Sequence, residues 1–191
     1  MKQNELPQEL LSRIAEHDTE ALGELYDQQA PVVLGLLMRI LGDRAAAEEI
    51  LENVFVQLWN DARPLARAGA SPAAVLLLMA RASAVEKVRA GRGLSRRVPG
   101  LSSRGLAEWC PRRKEIAHVD ERRELLKKVV NQLPKPQREA LDLAVFEGLV
   151  ETEIAVKLGE PGARAGASLS AALRFIRHRL DAVLGTWTAD I

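Results

Sequence analysis

The sequence holds one cysteine, Cys110, in 191 residues. That excludes an internal disulfide and any zinc site built from several thiolates. Aromatic residues make up only 4%, so a core has to be assembled from Leu, Val, Ile and Ala. With β-branched residues secondary to Leu and Ala, such a core favours helices. Long apolar runs are missing as well. The longest lie around Val32–Met38 and Ala73–Ala80, well short of the roughly 20 residues that span a bilayer. Residues 1–5 are polar soon after Met1 and lack the apolar stretch of a secretion signal. A cytoplasmic protein without membrane insertion is expected.

Catalytic patterns are equally scarce. The three histidines, His17, His118 and His178, are scattered. No serine sits in a nucleophile elbow, and no Gly-rich phosphate loop or zinc-protease spacing occurs. Paired carboxylates such as Glu48-Glu49 fall on a helix surface, where solvation explains them. The expectation is a protein that is not an enzyme, with no catalytic residue, no metal and no cofactor.

Net charge is also small, +1 over the whole chain, which argues against a nucleic-acid partner only if the charge is evenly spread. It is not. Residues 1–60 carry four positive and eleven negative side chains. Residues 81–114 carry ten positive and two negative ones. Residues 141–160 hold five carboxylates against Lys157, and residues 161–180 hold four arginines and no acid. Blocks of alternating sign suit a chain that meets one partner with an acidic face and a polyanion with a basic one.

Periodicity organises the rest. Asp18 or Thr19 is placed to cap a helix running to about Gln29, and Pro31 to open a second that ends near Leu41-Gly42. Asp43 caps a third, from Arg44 to about Trp59, whose stripe is Ala47, Ile50, Leu51, Val54 and Leu58. That stripe leaves Glu48, Glu49, Glu52 and Asn53 towards solvent or a partner. A loop over Asp61–Ser71 follows. Pro72 then opens a helix with an apolar first half and a basic second half carrying Arg81, Lys87 and Arg89. Beyond it periodicity fails, and the Gly-, Ser- and Pro-rich stretch reads as a basic linker. Trp109 inside it reads as a local packing anchor and Cys110 as a free thiol.

Order returns near Asp120. One helix covers about Glu121 to Gln132, and a second opens at Pro136 and stops at Glu147-Gly148. A short helix then carries Val150, Ile154 and Leu158, followed by the turn Gly159-Glu160-Pro161-Gly162. A long helix comes last, with Leu169, Ala172, Leu173, Ile176, Leu180, Val183 and Leu184 on one stripe. Arg164, Ser168, Arg174 and Arg177 lie away from that stripe. No strand-like alternation occurs, so the expected fold is all-α: two small helical domains, 1–93 and 120–191, on a flexible linker at 94–119. A short helix, a tight turn and a longer helix match a helix-turn-helix, which sets its second helix in the major groove of DNA.

Two stretches resemble a known family. LPKPQREALDLAVFEGLVETEIAVKLGEP resembles region four of the extracytoplasmic-function sigma factors, the small sigma-70 relatives of bacteria. ALGELYDQQAPVVLGLLMRILGDRAAAEEILENVFVQLW resembles their region two. Both come in the family's order, and together with their surroundings they cover about 160 of the 191 residues. The resemblance implies binding to core RNA polymerase and promoter DNA, with an anti-sigma factor as a further candidate partner. It implies polymerase docking by Glu48, Glu49, Glu52, Asn53 and Phe55, at the positions of the family's acidic helix. It implies DNA contacts by Arg81, Lys87 and Arg89 at the minus-ten element. Arg164, Ser168, Arg174 and Arg177 would serve the minus-thirty-five element.

The departures from the family pattern bear on DNA. Val75 stands where a tryptophan is usual, and Ala82-Ser83 where Asn-Arg is usual. In the recognition helix Gly166 and Ser168 replace two basic side chains. Two readings follow: a sigma factor of unusual promoter preference, or a sigma-like interaction protein that binds polymerase or a regulator without promoter recognition.

Overall fold

Asp18 and Asp43 set the frame of the N-terminal half. In the computed structural model, which describes residues 6–93 and 119–184, each starts a helix by accepting from the backbone. Asp18 takes the N–H groups of Glu20 and Ala21 at 2.9 and 3.1 Å. Asp43 takes that of Ala46 at 2.7 Å. Both satisfy donors that a helix leaves without internal partners. Ser71 opens the last helix of this half more loosely, 3.5 Å from the Ala74 N–H. Among the described residues four helices result: α1 (Pro7–Ile14), α2 (Thr19–Leu41), α3 (Arg44–Arg67) and α4 (Pro72–Gly91).

Two expected breaks are absent. Helix α2 runs unbroken through Pro31, which removes one intrahelical hydrogen bond, the one towards the Asp27 carbonyl. Pro31 lies on the exposed side, while Leu25 and Ala30 before it and Val33 and Leu37 after it are all buried. Packing on both sides of the proline holds the helix through it. Likewise α3 continues past Trp59 to Arg67 and takes up most of the expected Asp61–Ser71 loop. The stripe extends through Ala62 and Leu65, 1% and 0% exposed, so burial outweighs the local preference of Pro64.

Leu10, Leu11 and Ile14 of α1 join the buried faces of α2, α3 and the apolar half of α4 in one core. Val75 is fully buried there. The departure from the family pattern at that position is therefore a packing change inside the unit.

The Asp18 carboxyl also sits against Arg13, with Oδ2 at 2.8 Å from Nε. The Ala21 N–H, followed by Arg13, holds its pKa below the ordinary 3.8. The folded state thus binds this proton less tightly than the unfolded chain. The stabilisation is complete above the ordinary value and disappears as pH falls through the lowered one. Thermal melts of Asp18→Asn should therefore depend less steeply on pH below about 4 than those of the unchanged protein.

The described residues of the second half build four further helices: α5 (Val119–Asn131), α6 (Lys135–Phe146), α7 (Glu151–Leu158) and α8 (Gly162–Leu184). Residues 1–116 and 117–191 form two compact units, and among the described residues there is no strand. The expected linker, with Trp109 and Cys110, lies almost wholly outside the described residues. So do the side chains of Leu180, Val183 and Leu184. Leu133, Leu141 and Ala172 make one small cluster of the second unit. Ala140, Leu149, Ile154, Ala155 and Ala165 make another. Leu173, expected in the α8 stripe, is 52% exposed. The buried line runs through Ala165, Leu169, Ala172 and Ile176, and a residue one position beyond Ala172 turns out of it.

Helix α7 begins less well than α2 or α3. Its N-cap is Val150, which has no side-chain acceptor. Only the reverse half of a capping box is present, Glu153 Oε2 accepting from the Val150 N–H at 2.9 Å. Val150→Ser should supply the missing acceptor and add about 0.5–2 kcal/mol. A C-terminal unit of this size then melts higher by about 4–8 °C per kcal/mol, read by calorimetry.

Candidate functional site

The outer face of α3 is fixed by its buried one. Ala47, Ile50, Leu51, Val54 and Leu58 point into the core, which turns Glu49, Glu52 and Asn53 outward as exposed side chains. Glu48 is half-exposed and pairs with Arg44, one turn earlier, at 2.8 Å. Glu49 reaches across to α4 and pairs with Lys87 at 2.5 Å. Val56 stands on the same outer face, 60% exposed, one turn beyond Glu52 and Asn53. Sequence reasoning passed over it, although an apolar residue two positions off the stripe is a legible signal.

Phe55 belongs elsewhere. The family resemblance sets it among the polymerase-docking positions, yet it is 5% exposed and its ring stacks at a tilt on Tyr26, centroids 4.8 Å apart. The buried face is two residues wide, pairing 50 with 51 and 54 with 55, so Phe55 falls inside it. Its contact with α2 steadies α3.

The basic half of α4 is also rearranged. Arg89 is 3% exposed, because it lies one turn after Val85 on the core side. Arg81 is half-buried, and that burial lowers its pKa below the ordinary arginine value. Of the three expected DNA-contacting side chains in α4, Lys87 alone is exposed, and it is the one paired with Glu49. An open row of cations is not what this helix presents.

In the second unit α7 and α8 meet through Ile154, Ala155, Ala165 and Leu169. Two alanines at the crossing let the backbones approach closely. Gly159 ends α7 at φ +66°, a left-handed conformation that glycine adopts without strain. The Glu160 N–H bonds back to the Ala155 carbonyl at 3.0 Å. The N–H groups of Arg164 and Ala165 then bond to the Pro161 carbonyl at 2.9 and 3.2 Å, which starts α8.

The four residues expected to contact DNA from α8 do not share one face. At 100° per residue, Arg164 and Arg177 lie about 140° apart, and Arg174 falls between them. Arg174 and Arg177 are exposed, and Ser168 is half-buried. Arg164 is drawn towards the turn, its Nε 3.9 Å from Glu160 Oε2. That oxygen is buried without a hydrogen bond. Gly166 lies within about 20° of Arg177 around the helix, and it has a close neighbour that sequence reasoning missed. A Cβ built there would stand 2.9 Å from Glu151 Oε2.

Among the described residues no helix is long and apolar enough to cross a membrane, and no cluster of three His, Cys, Asp or Glu is placed to hold a metal ion. Among the described residues, a four-helix unit with an acidic outer helix face is followed by a unit whose last two helices meet through a tight turn, the layout of a helix-turn-helix in an all-α protein. Known proteins make the assignment narrower. The ECF RNA polymerase sigma factor SigK of Mycobacterium sp. (strain KMS) is 31% identical over 175 residues, covering 90% of this chain and 89% of that protein. The protein of the same name from Mycobacterium tuberculosis (strain H37Rv) is 29% identical over 172 residues, covering 90% and 92%. The chain belongs to the extracytoplasmic-function sigma factors. No protein-family model matches it.

Proposed function

We propose that this chain binds core RNA polymerase through the outer face of α3 and directs it to promoter DNA through the α7–α8 pair. The observation that carries the reading is the α3 face. Glu48, Glu49, Glu52 and Asn53 stand outward on one rigid, fully packed helix, with Val56 beside them as an apolar contact. A carboxylate row on a rigid support suits a basic partner surface, and the apolar side chain at its end adds desolvated contact. Phe55 supports that face from beneath.

On the DNA side Arg174 and Arg177 are the cations that α8 offers together, with Arg164 on its other flank. Phosphate contacts of this kind set affinity and its salt dependence, whereas base contacts set sequence choice. The chain performs no reaction of its own in this reading. It acts in the cytoplasm, where the polymerase supplies the chemistry.

Gel filtration of the full chain mixed with core polymerase tests the reading. Co-elution at one chain per polymerase is the expected result. Separate elution at micromolar concentrations would overturn it.

A further inference from the structure

The contact between Glu151 and Gly166 has a meaning for DNA reading. Gly166 lies in the second turn of α8, on the line that also carries Arg177. A helix-turn-helix brings the N-terminal residues of its second helix to the base edges. At this position the helix has no side chain. The space is taken by the carboxylate of Glu151, an exposed residue from the first turn of α7, whose Oε2 and Cδ lie 2.9 and 3.1 Å from where a Cβ would be. The two residues permit each other: a larger residue at 166 would displace the carboxylate. Arg164 lies about 160° from Gly166 around the helix and is turned towards Glu160.

We infer that Glu151 is a specificity-determining residue that reads a cytosine in the promoter through the gap left by Gly166. This rests on the promoter-binding reading above. An ionised carboxylate only accepts hydrogen bonds, and phosphates repel it, so the favourable partner in the groove is an amino group. Cytosine offers N4–H₂ there with no acceptor of its own. Adenine sets the N7 acceptor beside its amino group, and guanine shows acceptors only. A carboxylate at this point therefore selects cytosine and rejects guanine.

The test is selection of randomised minus-thirty-five DNA by the full chain assembled with core polymerase, at fixed salt. The unchanged protein should enrich cytosine at one position. Glu151→Gln keeps the shape and removes the charge, so that position should shift towards adenine, which an amide reads bidentately. The change in preference should be about tenfold or more. Gly166→Ala displaces the carboxylate without altering it, and should flatten the same position. Thermal melts establish that both variants are folded. An unchanged base profile, with affinity either raised uniformly or unaltered, would overturn the inference and leave Glu151 as a phosphate-repelling or helix-starting residue. No enriched sequence with the unchanged protein, despite polymerase binding, would overturn the promoter reading and this inference together.

Discussion

Leu58→Ala is expected to destabilise the N-terminal unit by about 2–5 kcal/mol, the range for removing a fully buried leucine from a packed core. Leu58 is 0% exposed and sits one turn from Val54 and from Ala62, both 1% exposed. It is held on the long helix that has to stay straight for the outer face to form. Helix α3 packs against α1, α2 and α4 in one core, so relaxation around a cavity is restricted. Small domains are stable by only about 5–15 kcal/mol. A loss of 2 kcal/mol already lowers the melting midpoint by roughly 8–16 °C, read by circular dichroism. Val56→Ala provides the contrast. Two residues away and 60% exposed, it should change stability by no more than about 0.5 kcal/mol while weakening polymerase binding. Equal melting shifts in the two variants would contradict the assignment of faces on α3.

The second large effect concerns charge. Glu49→Lys with Glu52→Lys should weaken binding to core polymerase by about 100-fold. Like charges forced together across an interface cost several kcal/mol, and 1.4 kcal/mol is tenfold. The loss should fall partly on the association rate and shrink as salt is raised, because exposed charges are screened within about 10 Å at 0.1 M. Glu49→Lys also places a second cation against Lys87, its partner at 2.5 Å. Glu52→Lys alone avoids that contact and separates interface repulsion from repulsion within the chain. Surface plasmon resonance against immobilised polymerase, at two salt concentrations, reads both effects. Affinity unchanged at low salt would contradict docking through this face.

Much of the fold was legible because local and tertiary preferences agree over most of the chain. Asp18, Asp43 and Pro72 mark helix starts by side-chain chemistry alone, and the 3-4 spacing of Ala47, Ile50, Leu51, Val54 and Leu58 orients α3 correctly. The Gly159-Glu160-Pro161-Gly162 turn likewise announces the helix pair. Sequence reasoning fails where a local signal is overruled from a distance. Pro31 reads as a helix start and Asp61–Ser71 as a loop, yet buried residues on both sides carry α2 through Pro31 and α3 through Pro64. Family position alone implies partner contacts for Phe55 and Arg89. Their place on the helix puts them inside: Phe55 beside Val54, Arg89 one turn after Val85. The Glu151–Gly166 contact joins residues fifteen apart through the crossing of α7 and α8. No periodicity within either helix encodes it.

These departures also refine where positive charge can act. The sum of charges hides the blocks, and the blocks in turn hide burial. In α4, Arg89 is enclosed and Lys87 pairs with Glu49, whereas Arg174 and Arg177 of α8 are both exposed and lie about 60° apart around their helix. Substituting both by alanine should reduce promoter affinity and lower the salt dependence by about two phosphate contacts.

Transcription by purified core polymerase, with and without the full chain, on a library of bacterial genomic fragments tests the central claim most directly. The account predicts discrete start sites that appear only with the chain, preceded by a common sequence element, and lost with Glu49→Lys and Glu52→Lys. Transcripts identical to those of core polymerase alone, from a chain that binds the enzyme, would contradict it.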